Sequence, residues 1–135
     1  MKKNDDQFII VKNNMIIQLM DRWLALHQKH IMVEEFFVKY HYKRIAIYGM
    51  GVLGRRLYEE LKGSEIKVEY FIDKYIDKAN DLGCRVYRDN EPLPKVDAVV
   101  NTVVLDWQPI VSSLSQLLQC EVIPIQDVLD AFEWK

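Results

Sequence analysis

Three glycines set between two kinds of hydrophobic pattern constrain this chain more than any other feature. Ile45-Ala-Ile-Tyr48 is a short apolar run, and Gly49, Gly51 and Gly54 follow it directly. From Val52 to Leu61 the apolar residues recur at helical spacing, and a second apolar run, Val68 to Ile72, ends on Asp73. A chain patterned this way leaves a strand through a tight turn, enters a helix at once and returns to a parallel strand. Few architectures accommodate that sequence of events, and an α/β sheet with crossover helices is the simplest.

The order of strand, glycine turn, helix, strand and acid is the dinucleotide-binding fingerprint. Gly49 permits the tight exit from the strand, Gly51 lets a pyrophosphate approach the backbone, and Gly54 lets the helix pack closely on the sheet. The N–H groups at the start of the helix, around Val52 to Gly54, have no intrahelical acceptor and face the phosphates, with the helix dipole adding to the attraction. Asp73, at the end of the second strand, is placed to accept hydrogen bonds from a ribose and to repel a 2′-phosphate. That favours NAD over NADP, although the adjacent Lys74 offsets part of the repulsion. The site read from the sequence therefore comprises Gly49, Met50, Gly51, Val52, Leu53, Gly54, Asp73 and Lys74.

The remaining pattern supplies the rest of a five-stranded doubly wound sheet. Strands are expected at Arg44–Tyr48, Lys67–Ile72, Arg85–Tyr87, Ala98–Val104 and Glu121–Pro124. Helices are expected at Val52–Lys62, stopped by Gly63, at Pro109–Gln119 and at Ile125–Phe132. Right-handed crossovers then give the order 3-2-1-4-5. Ahead of this unit, which spans residues 43–135, residues 1–42 read as a loose terminus followed by a helical hairpin. Asn14 is the expected cap of a helix over Met15–His30, and Val33–Tyr40 forms the second arm. The first arm shows Ile16, Leu19, Met20, Trp23, Leu24 and His27 at three-four spacing, widened by Ile17 and Leu26. Such a face requires cover, from the sheet's own flank or from a second copy of the chain.

Composition narrows the partners. A formal net charge of −2 over 135 residues predicts no basic surface, so nucleic acid is not an expected ligand. No run of 18 or more apolar residues suggests a membrane span, and the amino-terminal lysines are not followed by a signal-type apolar stretch. Cys84 and Cys120 stand far apart in no metal-like spacing, which predicts free thiols and a cytoplasmic protein. The span from Lys43 onward has room for one sheet and its helices but not for a separate substrate domain. An enzyme built on it would need another chain or a second copy to complete its site.

Other constellations are weaker. Tyr70 and Lys74 have the Tyr-x-x-x-Lys spacing of short-chain dehydrogenases, but they fall on and beyond a strand, where that spacing does not align them. His27 and His30 lie one helical turn apart near Glu34, two ligands and an uncertain third, and read better as a solvated helix end. Arg55 and Arg56 follow the glycines, as phosphate contacts or surface arginines. Asp106 and Trp107 follow the fourth strand and either line the crevice or start the next helix.

The stretches Ile45-Ala-Ile-Tyr-Gly-Met-Gly-Val-Leu-Gly-Arg-Arg-Leu-Tyr-Glu-Glu-Leu61 and Val68-Glu-Tyr-Phe-Ile-Asp-Lys74 resemble the small Rossmann-like domains of bacterial surface-polysaccharide pathways. Those include the N-terminal domains of sugar acyltransferases and the nucleotide-binding domains of nucleotide-sugar dehydratases. The resemblance covers roughly residues 43–125 and implies binding of NAD(P) or a nucleotide-sugar at Gly49, Gly51, Gly54 and Asp73. It also implies a glycosyltransferase or sugar-modifying enzyme as partner. The chain lacks the left-handed helix repeats of the acyltransferases and the acid–base set of the dehydratases. A nucleotide-binding module without a complete active site is the leading expectation. A small oxidoreductase or nucleotide-sugar-modifying enzyme completed by oligomerisation, through a homodimer of the N-terminal helices, comes second. An NADH-responsive redox sensor comes third, because its DNA-reading helix would need more basic residues than Arg22 and Lys29.

Overall fold

The computed structural model describes residues 2–74, 82–105 and 108–132. Helices α1 (Lys2–Gln28) and α2 (Glu34–Lys39) precede β1 (Arg44–Tyr48), α3 (Val52–Leu61) and β2 (Lys67–Ile72). Then come β3 (Val86–Tyr87), β4 (Ala98–Asn101), α4 (Gln108–Leu118), β5 (Glu121–Pro124) and α5 (Ile125–Asp130). The five strands form one sheet in the order β3-β2-β1-β4-β5, and every pairing is parallel. This is the expected order, and β1 lies at its centre, with Tyr48 in register between Ile72 and Asn101.

Alternation along the strands divides the core between two faces. Ile45, Ile47, Phe71 and Val100 point to the face covered by α3, α5 and the N-terminal helices. Ala46, Tyr48, Tyr70, Ile72 and Val99 point to the other, where Leu114 and Leu118 of α4 cover them. Burial on both faces explains why β1 and β4 read as unbroken apolar runs. The pairing of β1 with β2 slips by one residue between Ile45 and Ala46, leaving Glu69 without an opposite number. That slip changes the parity of β2, so Val68 and Phe71 serve the same core.

The N-terminal segment departs from the sequence expectation. Residues 2–12 are not a loose lead-in and Asn14 is not a cap: α1 is one helix beginning at Lys2. Asparagine is a mediocre helix former but costs well under about 1 kcal/mol in a helix interior, unlike proline. That cost is too small to stop a helix on its own, and α1 continues through Asn13-Asn14. Leu19, Trp23 and Leu26 are buried in the main core, while Ile17 and Leu24 face outward and His27 is exposed beside Glu60. The expected inner face was thus too broad. The α1 helix ends with His30 at φ 61°, and Ile31 and His30 donate their N–H groups to Leu26 and His27 at 2.9 Å. This double bond to the last turn is a Schellman stop with histidine where glycine is usual. Of the two histidines read as a solvated helix end, His30 ends the helix in solvent while His27 turns to Glu60.

Glu60 on α3 anchors the two helices. Its side chain is 5% exposed and accepts from Trp23 Nε1 at 2.7 Å, Val33 N at 2.6 Å and His27 Nε2. Arg22 pairs with Asp130 of α5 beside it. Burial of Leu19, Trp23 and Leu26 adds about 1.5–3 kcal/mol for each side chain removed fully from water.

The other boundaries move by a residue or so, with one larger change. The β4 strand ends at Asn101 rather than Val104, because side chains take over the backbone bonding there. Asn101 Oδ1 accepts from Val103 N at 3.0 Å, and the Thr102 hydroxyl donates to Tyr48 O at 2.7 Å. Among the described residues no helix is long and apolar enough to cross a membrane, and no group of three or more His, Cys, Asp or Glu side chains is placed to hold a metal.

Candidate functional site

The sheet order reverses between β1 and β4, and at the carboxyl ends of these strands lies a crevice of about 680 Å³. Open parallel sheets bind their ligands at this position. Of the residues expected from the sequence, Gly49, Met50, Gly51, Val52, Leu53, Asp73 and Lys74 all line it. Gly54 lies just behind, buried in the first turn of α3.

The three glycines serve different ends. Gly49 has φ 99°, and a Cβ there would stand 2.7 Å from Thr102 Oγ1, so backbone and packing both demand glycine. A Cβ on Gly54 would press into the carbonyl oxygen of Gly49 and stand 3.1 Å from Thr102 Oγ1. Gly51 is unlike either. Its φ of −79° and ψ of −159° suit any residue, and nothing lies within 4 Å of where its Cβ would be. Packing and φ make no demand for glycine at 51, which is the N-cap of α3 and is exposed on the crevice wall.

The turn is tied down on every side. Gly49 donates its N–H to Ile72 O at 2.9 Å, and the Thr102 hydroxyl reaches Gly49 O at 3.2 Å as well as Tyr48 O. Met50 donates its N–H to Asp73 Oδ2 at 3.0 Å, and its carbonyl accepts from Arg55 Nε at 3.1 Å. These bonds define what Met50 and Asp73 do in the turn. Met50 lines the crevice, but its N–H already serves Asp73 and is not offered to a phosphate. Asp73, at the end of β2 where the sequence led one to expect a ribose-binding acid, braces the turn by accepting from Met50 N–H. Arg55 bonds the turn rather than standing on the surface. The N–H groups from Gly51 into the first turn of α3 remain the anion-facing ones by helix geometry. That first turn carries no acidic residue to compete.

Tyr48 also lines the crevice, and burial, followed by the carboxylates of Asp89 and Asp73, pushes its hydroxyl up to about 12. It stays protonated near neutral pH and is no general base there. Tyr70 is held away from Lys74: its buried hydroxyl donates to Pro94 O at 2.6 Å, so the dehydrogenase-like spacing has no counterpart in space. Burial raises the thiols of Cys84 and Cys120, which disfavours the reactive thiolate. Asp106 and Trp107 lie outside the described residues.

Sequence reasoning missed two contributions. Thr102 is buried at the end of an apolar run, and its spacing gave no hint that its hydroxyl would clamp the glycine turn. Phe8, Lys12, Asn13 and Ile16 of α1 form the crevice wall opposite that turn. The signal for them was the apolar stripe of α1 continuing upstream of Asn14. No family model, no curated protein and no solved structure matches the chain.

Proposed function

We propose that the chain is a Rossmann-like nucleotide-binding module whose ligand is NAD(H) or a nucleotide-sugar. Gly51 is the observation that carries this reading. Its backbone is ordinary and its surroundings are open, so the absence of a side chain serves something that approaches from the crevice. The N-terminus of α3, the carboxylate of Asp73 and the position at the sheet's switch point agree with a pyrophosphate and a ribose as that visitor. A place in a bacterial carbohydrate-assembly pathway, beside a glycosyltransferase or sugar-modifying enzyme, follows from the resemblance of Ile45–Leu61 and Val68–Lys74 alone. Binding without turnover suits a crevice in which Tyr48 stays protonated and Asp73 bonds the turn.

Calorimetric titration with NAD, NADH, NADP, ADP and UDP-sugars tests the proposal. One ligand class is expected to bind the native chain, and Gly51→Asp is expected to abolish that binding while the fold persists. No binding by any of them would remove the nucleotide reading.

A second reading is favoured by Ile10, Ile17 and Leu24, which are 58%, 63% and 58% exposed and recur every seven residues along α1. A seam at that spacing suits a second helix. It supports a homodimer, and with it an oxidoreductase or nucleotide-sugar-modifying enzyme completed by oligomerisation. Sedimentation velocity is then expected to show a dimer that Ile17→Lys converts to monomer. A native chain that stays monomeric at high concentration would overturn it.

A further inference from the structure

We infer that Lys12 is a ligand-binding residue, and that its ammonium meets the diphosphate of the nucleotide from the side opposite the glycine turn. The inference rests on the nucleotide-binding reading and extends it to a helix outside the strand–turn–helix unit. Phe8, Lys12, Ile16, Leu19, Trp23 and Leu26 follow one another at steps of four, four, three, four and three, and so form one line along α1. The carboxyl-terminal half of that line is core: Leu19, Trp23 and Leu26 are 5%, 5% and 8% exposed. The amino-terminal half continues the line past the end of the core and faces the crevice. Lys12 is the single charged residue on it.

A lysine on the inward line of an amphipathic helix has an acidic partner or a solvent route in most settings. Lys12 is partly buried and makes no ion pair or hydrogen bond with any described residue. The charged groups that share the crevice with it are Asp73, which accepts from Met50 N, and a second cation, Lys74. Two lysines and the N-terminus of α3 around one carboxylate favour a ligand with more than one negative charge. Because Asp73 takes the N–H of Met50, the turn offers a phosphate fewer donors than its length suggests. A charge from α1 compensates for that loss. The ligand class this selects is a nucleoside diphosphate or its derivative, in preference to a nucleoside or a monophosphate.

The test is calorimetric titration of the full chain with ADP, UDP, adenosine, uridine and inorganic pyrophosphate. Lys12→Met, which keeps the aliphatic stem, is expected to weaken binding of the preferred diphosphate about tenfold. It is expected to leave the nucleoside affinity unchanged and to flatten the salt dependence of diphosphate binding, while Lys12→Arg restores most of both. Equal losses for nucleoside and diphosphate would show that Lys12 only shapes the wall, and no loss for either would show that it only faces solvent; each result overturns the inference. A native chain that binds none of these probes and no NAD or UDP-sugar overturns the nucleotide reading itself, and one that binds NAD or a UDP-sugar but neither ADP, UDP nor pyrophosphate overturns the diphosphate role of Lys12. A native chain that binds them, with Lys12→Met unchanged, overturns the role of Lys12 alone.

Discussion

The crevice has two walls of opposite construction. In the turn from β1 to α3, Gly49 and Met50 are bonded by Ile72, Thr102, Asp73 and Arg55 within a few residues of the sheet. Across from it, Gln7 to Val11 of α1 are all exposed, and the helix is held only farther along, where Trp23 and His27 meet Glu60 and Arg22 meets Asp130. One wall is braced because the ends of β2 and β4 converge on it, through Ile72, Asp73 and Thr102. The other is a lever held at its far end by Glu60, by the Arg22–Asp130 pair and by the burial of Leu19, Trp23 and Leu26. A ligand between them would find the turn already formed, and would depend on the docking of α1 for the rest of its contacts.

Changes at the rigid wall are expected to have the largest effect. Gly54→Ala drives a methyl into the carbonyl of Gly49, and no flexible side chain is there to yield. It should cost about 3 kcal/mol or more and lower the melting temperature by about 10 °C, read by calorimetric unfolding. A melting temperature within a degree or two of the native value would show that the turn is looser than its bonds imply.

The lever comes next. Glu60→Ala leaves the indole N–H of Trp23 and the N–H of Val33 without their acceptor. The expected loss is about 2–3 kcal/mol in urea unfolding, together with faster proteolysis confined to α1. If cleavage instead accelerates evenly along the chain, α1 is not a separately held wall and the contrast fails.

The smallest effect on stability belongs to Gly51→Ala. The backbone there is compatible with alanine and the space is open, so the entropy lost from the unfolded chain is set against alanine's poorer capping at this N-cap of α3, and folding stability should stay within about 1 kcal/mol of the native value. Nucleotide affinity should fall in the same variant. A destabilised Gly51→Ala would give glycine a structural reason at that position and remove the main support for a ligand.

The residues that reason locally were legible before any coordinates. The alternation of Ile45–Tyr48, the three glycines and the placement of Asp73 at the end of the second apolar run specified β1, α3 and β2. With the right-handed crossover rule they specified the strand order too. The seven turn and acid residues that line the crevice were recognisable because each is set by its own backbone or by the strand it ends. Legibility failed where one segment's role depends on another far away in sequence. Asn13-Asn14 looked like a helix start because capping is a local preference; the helix runs through both asparagines, and its packing into the core begins only at Leu19.

The sequence by itself determined that this chain turns through glycine from a buried strand into a helix at the centre of a parallel sheet, since φ, sterics and hydrophobic period act within a few residues. Only the tertiary structure decided which glycine is free of the fold, that Asp73 braces the turn it was expected to serve, and that Lys12 stands over the crevice. These are consequences of which atoms meet across the fold. Such distances arise when the whole core packs at once, and no spacing along the chain encodes them separately.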